Sequence, residues 1–145
     1  MWNQRKQQRT NRRNKKNFSV INRPNVSAEK VYLKRMFWVL RFVNNGDHFS
    51  YNTKIILDEE FIDSVGDDYK GPLKDLKNKV CTLGIDQHFD ILFGANVYWD
   101  LQNEKNIKGK IISHDINGKE FSENFEIEIE NMLHSILLQV NQKIW

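Results

Sequence analysis

The residues best equipped for chemistry stand at the front of the chain. Arg5, Lys6, Arg9, Arg12, Arg13, Lys15 and Lys16 lie in a stretch that contains no carboxylate. A guanidinium presents a planar fork of donors that matches phosphate oxygens, and neutralising phosphates releases condensed counterions. The chemistry this run offers is anion capture: RNA, DNA or an anionic membrane surface. Near such a surface each basic residue gains roughly 1 kcal/mol. In a helix over residues 3–16, Arg5, Arg9, Arg12, Arg13 and Lys16 would fall on one broad stripe. Trp2 and Phe18 are the aromatics of this stretch. They are too few to interleave with stacked bases, although Trp2 suits a membrane interface. A solubilising tail explains the same cations with no partner at all.

Other reactive side chains are scattered. His48, His88, His114 and His134 include no pair at i, i+2 or i, i+4 spacing. His88 and Asp90 share a face if their segment is a strand, but no further ligands for a metal stand out. Asp58-Glu59-Glu60 and Asp67-Asp68 lack the alternating oxygen ligands, glycine and closing Glu of a calcium loop, and read as solvated surface. Asp115 and Asn117 read as turn formers. The lone cysteine, Cys81, excludes an internal disulfide and a Cys-paired zinc site, and reads as a small buried hydrophobe. No phosphate loop, nucleophile elbow, His-Glu-x-x-His helix or dinucleotide fingerprint occurs. The expectation is a protein that is not an enzyme and carries no catalytic, cofactor or metal residue.

Charge divides the chain that must position these groups. The first 28 residues carry eight Lys/Arg, Arg23 being the last, and no acid; the remaining 117 carry 14 Lys/Arg against 19 Asp/Glu. The overall +3 thus joins a cationic leader to a mildly acidic body. Like charges repel and bury no core, so residues 1–22 are expected to form a disordered or helical basic arm. The body, with ordinary apolar content, is one domain in size. No apolar run approaches the ~20 residues of a membrane span, and no secretion signal is visible. The expectation is a soluble, cytoplasmic chain.

Period-two patterning dominates the body. Val31 and Leu33, then residues 37–43, alternate with apolar groups on both faces, which predicts a central strand covered on both sides. Asn44-Asn45-Gly46-Asp47 is a turn cluster. Phe49, Tyr51, Thr53, Ile55 and Leu57 alternate as a half-buried strand. Residues 58–63 fit one helical turn, and residues 63–72, with Gly66, Gly71 and Pro72, read as a loop. An irregular connection leads to a strand over residues 87–93, ended by Gly94. Residues 97–101 read as a short strand or loop. Ile107, Gly109, Ile111 and Ser113 alternate against Lys108, Lys110, Ile112 and His114. Phe121, Phe125, Ile127 and Ile129 alternate against Glu120, Glu126, Glu128 and Glu130. Asn117-Gly118 between these two runs is a strong hairpin signal. After Asn131, a plausible N-cap, the period turns helical: Met132, Leu133, Ile136, Leu137, Val140 and Ile144 form one stripe.

About seven short strands with no helices between successive strands predict a mostly β, immunoglobulin-like antiparallel β-sandwich over residues 23–130. Residues 131–145 add a C-terminal amphipathic helix that packs on the sandwich, or less favourably joins two copies into a homodimer.

Three segments carry a resemblance: Asn22-Arg23-Pro24-Asn25-Val26 before the first strand; residues 39–44 with Gly46, Asn52 and Lys54; and the run HDINGKEFSENFEIEI over residues 114–129. Together they resemble the soluble Ig-like domain of bacterial membrane-anchored proteins, across most of residues 22–130. In that family an Arg-Pro segment enters the sandwich and a hairpin of the form Tyr-x-Asp-x-x-Gly-Lys closes it. The motifs are structural and transfer no catalytic residue. Two departures stand out. The family's leading membrane helices are missing here, and Asp47-His48 replaces its Gly-Pro after the turn. If the chain is a fragment, residues 1–20 are the basic cytoplasmic segment beside a membrane helix. The resemblance implies a non-catalytic module for an unknown protein partner. The alternative is a nucleic-acid-binding protein, capsid-like or phage-encoded, that grips RNA or DNA with its arm.

Overall fold

A computed structural model describes residues 23–34, 36–95 and 105–129. In chain order the elements are β1 (Val26–Leu33), β2 (Phe37–Asn44), β3 (Ser50–Leu57), α1 (Glu59–Ser64), α2 (Asp67–Asp75), a 3-10 turn (Leu76–Asn78), β4 (Cys81–Leu83), β5 (His88–Ala95), β6 (Ile107–His114) and β7 (Glu120–Ile127). Seven strands thus form two antiparallel sheets, ordered β1-β2-β5 and β4-β3-β6-β7. The basic arm (1–22), the 97–101 segment and the C-terminal helix (131–145) lie outside the described residues.

The alternating patterns explain how the sheets share a core. Trp38, Leu40 and Phe42 all point inward from β2. They meet Ile55 and Leu57 of β3, Phe93 of β5, and Ile107 and Ile111 of β6 in one buried cluster. Phe42 lies 5.1 Å from Phe89 of its own sheet and bridges to the other through Phe125, edge-on at 5.8 Å. On the opposite face of β2, Val39 is also buried, at 5% exposure. Apolar residues on both faces of a middle strand produce this two-sided burial.

Residues 63–72 correct the expected loop. Gly71 and Pro72 punctuate the sequence, yet α2 runs through both, with Pro72 inside it. The two are exposed, while Leu73 and Leu76 are buried in the core and Tyr69 packs against it. An inward stripe at helical spacing outweighs two poor helix formers on the solvent side. α1 forms where the acidic run Asp58–Glu60 suggests a helical turn, and it delivers Phe61 and Ile62 to the core.

β3 departs from simple alternation. Asn52 adopts a left-handed backbone, φ +45°, and the register shifts beside it in both neighbouring pairings. This irregularity lets Ser50 and Thr53 both face inward, their hydroxyls 2.6 Å apart. It also turns Phe49 out to 46% exposure. Cys81 is a second correction. It sits exposed on the short edge strand β4 rather than buried, because β4 ends the sheet and, among the described residues, no strand pairs with its outer side.

The β6–β7 hairpin forms as the Asn-Gly signal implies, in register from Ile107↔Ile127 to His114↔Glu120. The turn is a three-residue loop rather than a two-residue one. Gly118 N donates to Asp115 O, Asp115 N donates to Lys119 O, and Gly118 takes φ +84°. Asp115 acts as the expected turn former: its Oδ1 accepts from the N–H groups of Asn117 and Lys119, both at 2.9 Å. Gly109 lies under the Phe125 ring. A Cβ there would stand 2.7 Å from Ile56 O and 2.8 Å from Phe125 Cζ. Gly109→Ala is therefore expected to cost about 2 kcal/mol through overpacking against a backbone carbonyl that cannot retreat. Urea unfolding checks it; a change of less than about 0.5 kcal/mol would show that the sheet yields freely at this point.

Candidate ligand-binding cleft

The two sheets meet differently along their two sides. On the β1/β7 side the core is sealed. Arg23 pairs with Glu123 and its guanidinium lies 5.4 Å from the centre of the Phe121 ring, with Lys119 Nζ at 5.3 Å. On the β4/β5 side the sheets part around a cleft of about 730 Å³. It opens there because β4 is only three residues long and pairs with β3 at two positions either side of the register shift.

Ile55, Leu76, Leu83 and Phe89 form an apolar floor. The rim carries Lys79, Thr82, Asp86 and His88, together with Val80, which is 59% exposed. Lys79 reaches Asp75 at 3.5 Å, an exposed i, i+4 pair that leaves the ammonium largely solvated. Thr53, at the cleft wall, has its hydroxyl held by Ser50 and by Ser50 O at 3.1 Å.

The closed end is the turn over residues 84–87. Gly84 N donates to Gln87 Oε1 at 2.7 Å, Gln87 N donates to Gly84 O at 3.1 Å, and Asp86 is left-handed at φ +63°. Asn44 fastens this turn to β2. Its backbone exchanges hydrogen bonds with Asp86 N and Gln87 O, and its Nδ2 donates to Leu83 O at 3.0 Å and His48 O at 2.8 Å.

Cys81 lies on the rim. Burial raises its thiol above the ordinary value even though the residue as a whole is exposed, so the sulfur stays protonated at neutral pH and is a weak nucleophile. Besides Cys81, the titratable groups that line this cleft are Lys79, Asp86 and His88. The cleft presents an apolar floor, a polar rim and, among the described residues, the main-chain edges of β4 and β5 that end their sheets.

The remaining candidates resolve differently. Arg5, Lys6, Arg9, Arg12, Arg13, Lys15 and Lys16 lie outside the described residues. His88 and Asp90 do share the outer face of β5, but Asp90 belongs to Arg41. Arg41 Nε donates to Oδ1 at 2.8 Å and Nη2 to Oδ2 at 3.0 Å. That fork holds the Asp90 carboxyl below its ordinary range. A depressed carboxyl stabilises the fold above its unfolded pKa, and the contribution fades as pH falls through the folded value. Asp90→Asn is expected to remove about 0.5–1 kcal/mol at pH 7 and nearly nothing at pH 2, measured by urea unfolding at both. A constant difference would show that packing, and not charge, holds the pair.

His114 lies in the β6–β7 sheet, with Nε2 3.3 Å from Glu120 and Nδ1 3.2 Å from the carbonyls of Tyr51 and Asn52. Among the described residues, no three of His, Cys, Asp and Glu converge as a metal site, and no helix is long and apolar enough to cross a membrane.

The cleft leaves only a faint mark in the sequence. Val80 and Ile85 are apolar residues in a segment too short to bury them, and both are exposed. Fold and cleft together define a mostly β domain of two antiparallel sheets with one open lateral side. Compared with protein-family models, curated proteins and solved structures, the chain matches none.

Proposed function

We propose that this chain is a non-catalytic, immunoglobulin-like β-sandwich, a soluble domain or relative of bacterial membrane-anchored proteins, that binds an extended segment of a partner protein in the β4/β5 cleft. The strand order supports the sandwich. The chain lays β1 and β2 in one sheet, β3 and β4 in the other, returns for β5, and ends with β6 and β7. Such exchange between sheets is the habit of Greek-key sandwiches. The observation that carries the binding role is the cleft itself. A strand added beside β4 would satisfy main-chain groups there while seating alternate side chains on Ile55, Leu83 and Phe89.

Cys81 makes the test direct. A benzophenone maleimide attached to Cys81 of the full chain should photocrosslink a partner protein in bacterial extract. The same reagent on a Cys81→Ser/Ser122→Cys chain, on the exposed face of β7, should not. Adding Val80→Asp should lower the Cys81-directed yield severalfold. Equal labelling from both positions, or yields indifferent to Val80→Asp, would defeat the cleft reading.

A second reading rests on the seven cations of the arm: a capsid-like or phage-encoded protein that grips RNA or DNA. Fluorescence anisotropy with a labelled oligonucleotide separates it. Seven phosphate contacts predict an affinity loss of about 10³-fold between roughly 50 and 200 mM salt. Binding that ignores salt, or survives deletion of residues 1–17, removes this reading.

A further inference from the structure

The outer face of the β1-β2-β5 sheet is a second apolar surface. Register places Val31, Val39 and Leu92 in one row and Leu33 and Phe37 in the next. Directly opposed residues of antiparallel strands share a face, so all five look away from Trp38, Leu40 and Phe42. Val39 is 5% exposed yet stands outside the core cluster, and the other four are half-buried. The described helices are spent elsewhere: Phe61, Leu73 and Leu76 of α1, α2 and the 3-10 turn enter the core between the sheets.

The described chain ends near the β1 edge of this sheet. Ile129 is buried in the core cluster, its N–H donates to Asn106 Oδ1 at 3.3 Å, and its backbone is already helical. Glu128 lies close enough to Lys30 of β1 to act on its charge. Lys30 stands opposite Leu40 and so faces the core side of β1, the edge strand of the sheet, while Val31 beside it starts the apolar row on the outer side. The segment after Ile129 therefore starts on the core side of the β1 edge and can reach the outer face by passing round that edge strand.

We propose that residues 130–145 fold back in cis as a helix across the outer face of the β1-β2-β5 sheet, covering Val31, Leu33, Phe37, Val39 and Leu92. The occupant has the right pattern and reach. Met132, Leu133, Ile136, Leu137, Val140 and Ile144 repeat at helical spacing. Three strands span about 10 Å between outer axes. A helix rises about 1.5 Å per residue, so a dozen residues cross the sheet with length to spare. Residues 96–104, which come after β5, are the rival cover within the chain; a second copy of residues 130–145 is the rival outside it.

Disulfide trapping in the full chain decides among them. In a Cys81→Ser background, Val31→Cys or Phe37→Cys is combined with Leu133→Cys, Ile136→Cys, Leu137→Cys or Val140→Cys. At least one outer-face pair should give an intramolecular disulfide about ten-fold faster than Lys110→Cys/Leu137→Cys on the other sheet, because docking raises effective concentration at one place only. Linked dimers would assign the face to a second copy and overturn the cis arrangement. Equal rates for all pairs would overturn docking altogether. If a strand cysteine prevents folding, a spin label on Leu137→Cys alone gives the same reading. It should broaden the Val31, Val39 and Leu92 methyl signals and spare Ile112. Broadening at Ile112, or at neither, overturns the proposal and leaves the face to residues 96–104.

Discussion

Truncating Phe42 to alanine is expected to remove about 4 kcal/mol of folding stability, the largest loss any single side chain of this domain should show. Phe42 has no exposed surface; its ring packs on Phe89 of its own sheet at 5.1 Å and joins the other sheet through Phe125 at 5.8 Å. Its removal leaves a cavity that cannot collapse. Leu40, its neighbour on the same face of β2, is held by pairing to Lys30 and Ile91, and Phe125 is held over Gly109. Aromatic pairs add about 0.5–1.5 kcal/mol beyond area alone, so Phe42→Leu should cost clearly less than Phe42→Ala but more than a simple change in volume. The control is Phe49→Ala. Phe49 is 46% exposed and touches Tyr51 at 6.0 Å, and its loss should cost about 1 kcal/mol or less. Equilibrium urea unfolding of the three variants checks the order. Equal effects at positions 42 and 49 would mean that the sheets do not depend on Phe42 for their union.

Strand pattern and core were legible in the sequence because period two is a strong and local signal. Trp38, Leu40 and Phe42, Ile107 and Ile111, and Phe121, Phe125 and Ile127 all took the faces their spacing assigned. The misreadings share a cause: in each, tertiary context overrode a local cue. Gly71 and Pro72 signalled a loop, but the buried stripe through Leu73 and Leu76 made a helix of the segment. Phe49 looked like the first inward residue of β3, but the left-handed Asn52 reset the alternation and gave that place to Ser50. Cys81 looked like core, and became surface because β4 ends its sheet. The cleft left only the faint mark of Val80 and Ile85. It arises where β4 and β5 fail to meet, and the absence of a contact has no residue to announce it.

Asn44 ties the closed end of that cleft to the core, and Asn44→Ala is expected to cost about 3 kcal/mol. Its side chain has no exposed surface and uses both ends. Nδ2 donates to His48 O at 2.8 Å and Leu83 O at 3.0 Å, and Oδ1 accepts from Gly46 N at 3.0 Å. Three main-chain groups, two in the 45–49 turn and one at the end of β4, therefore lose their partner at once, and a buried group left unpaired costs about 1–3 kcal/mol. Asn44→Asp should be worse still. It keeps the acceptor for Gly46 N but points a buried carboxylate oxygen at two carbonyls, where charge and lone pairs both repel. Stability of the aspartate variant should rise as pH falls through its raised folded pKa toward the ordinary carboxylate value, opposite in sign to the Asp90 pair, because protonation restores a donor. The alanine variant should show no such trend. The two turns Asn44 joins are residues 45–49 and 84–87, so amide exchange should quicken in both while the β6–β7 hairpin keeps its protection. Exchange that quickens evenly across all seven strands would show that Asn44 supports the whole fold rather than this end of the cleft, and a loss below about 1 kcal/mol would mean that water replaces its partners without difficulty.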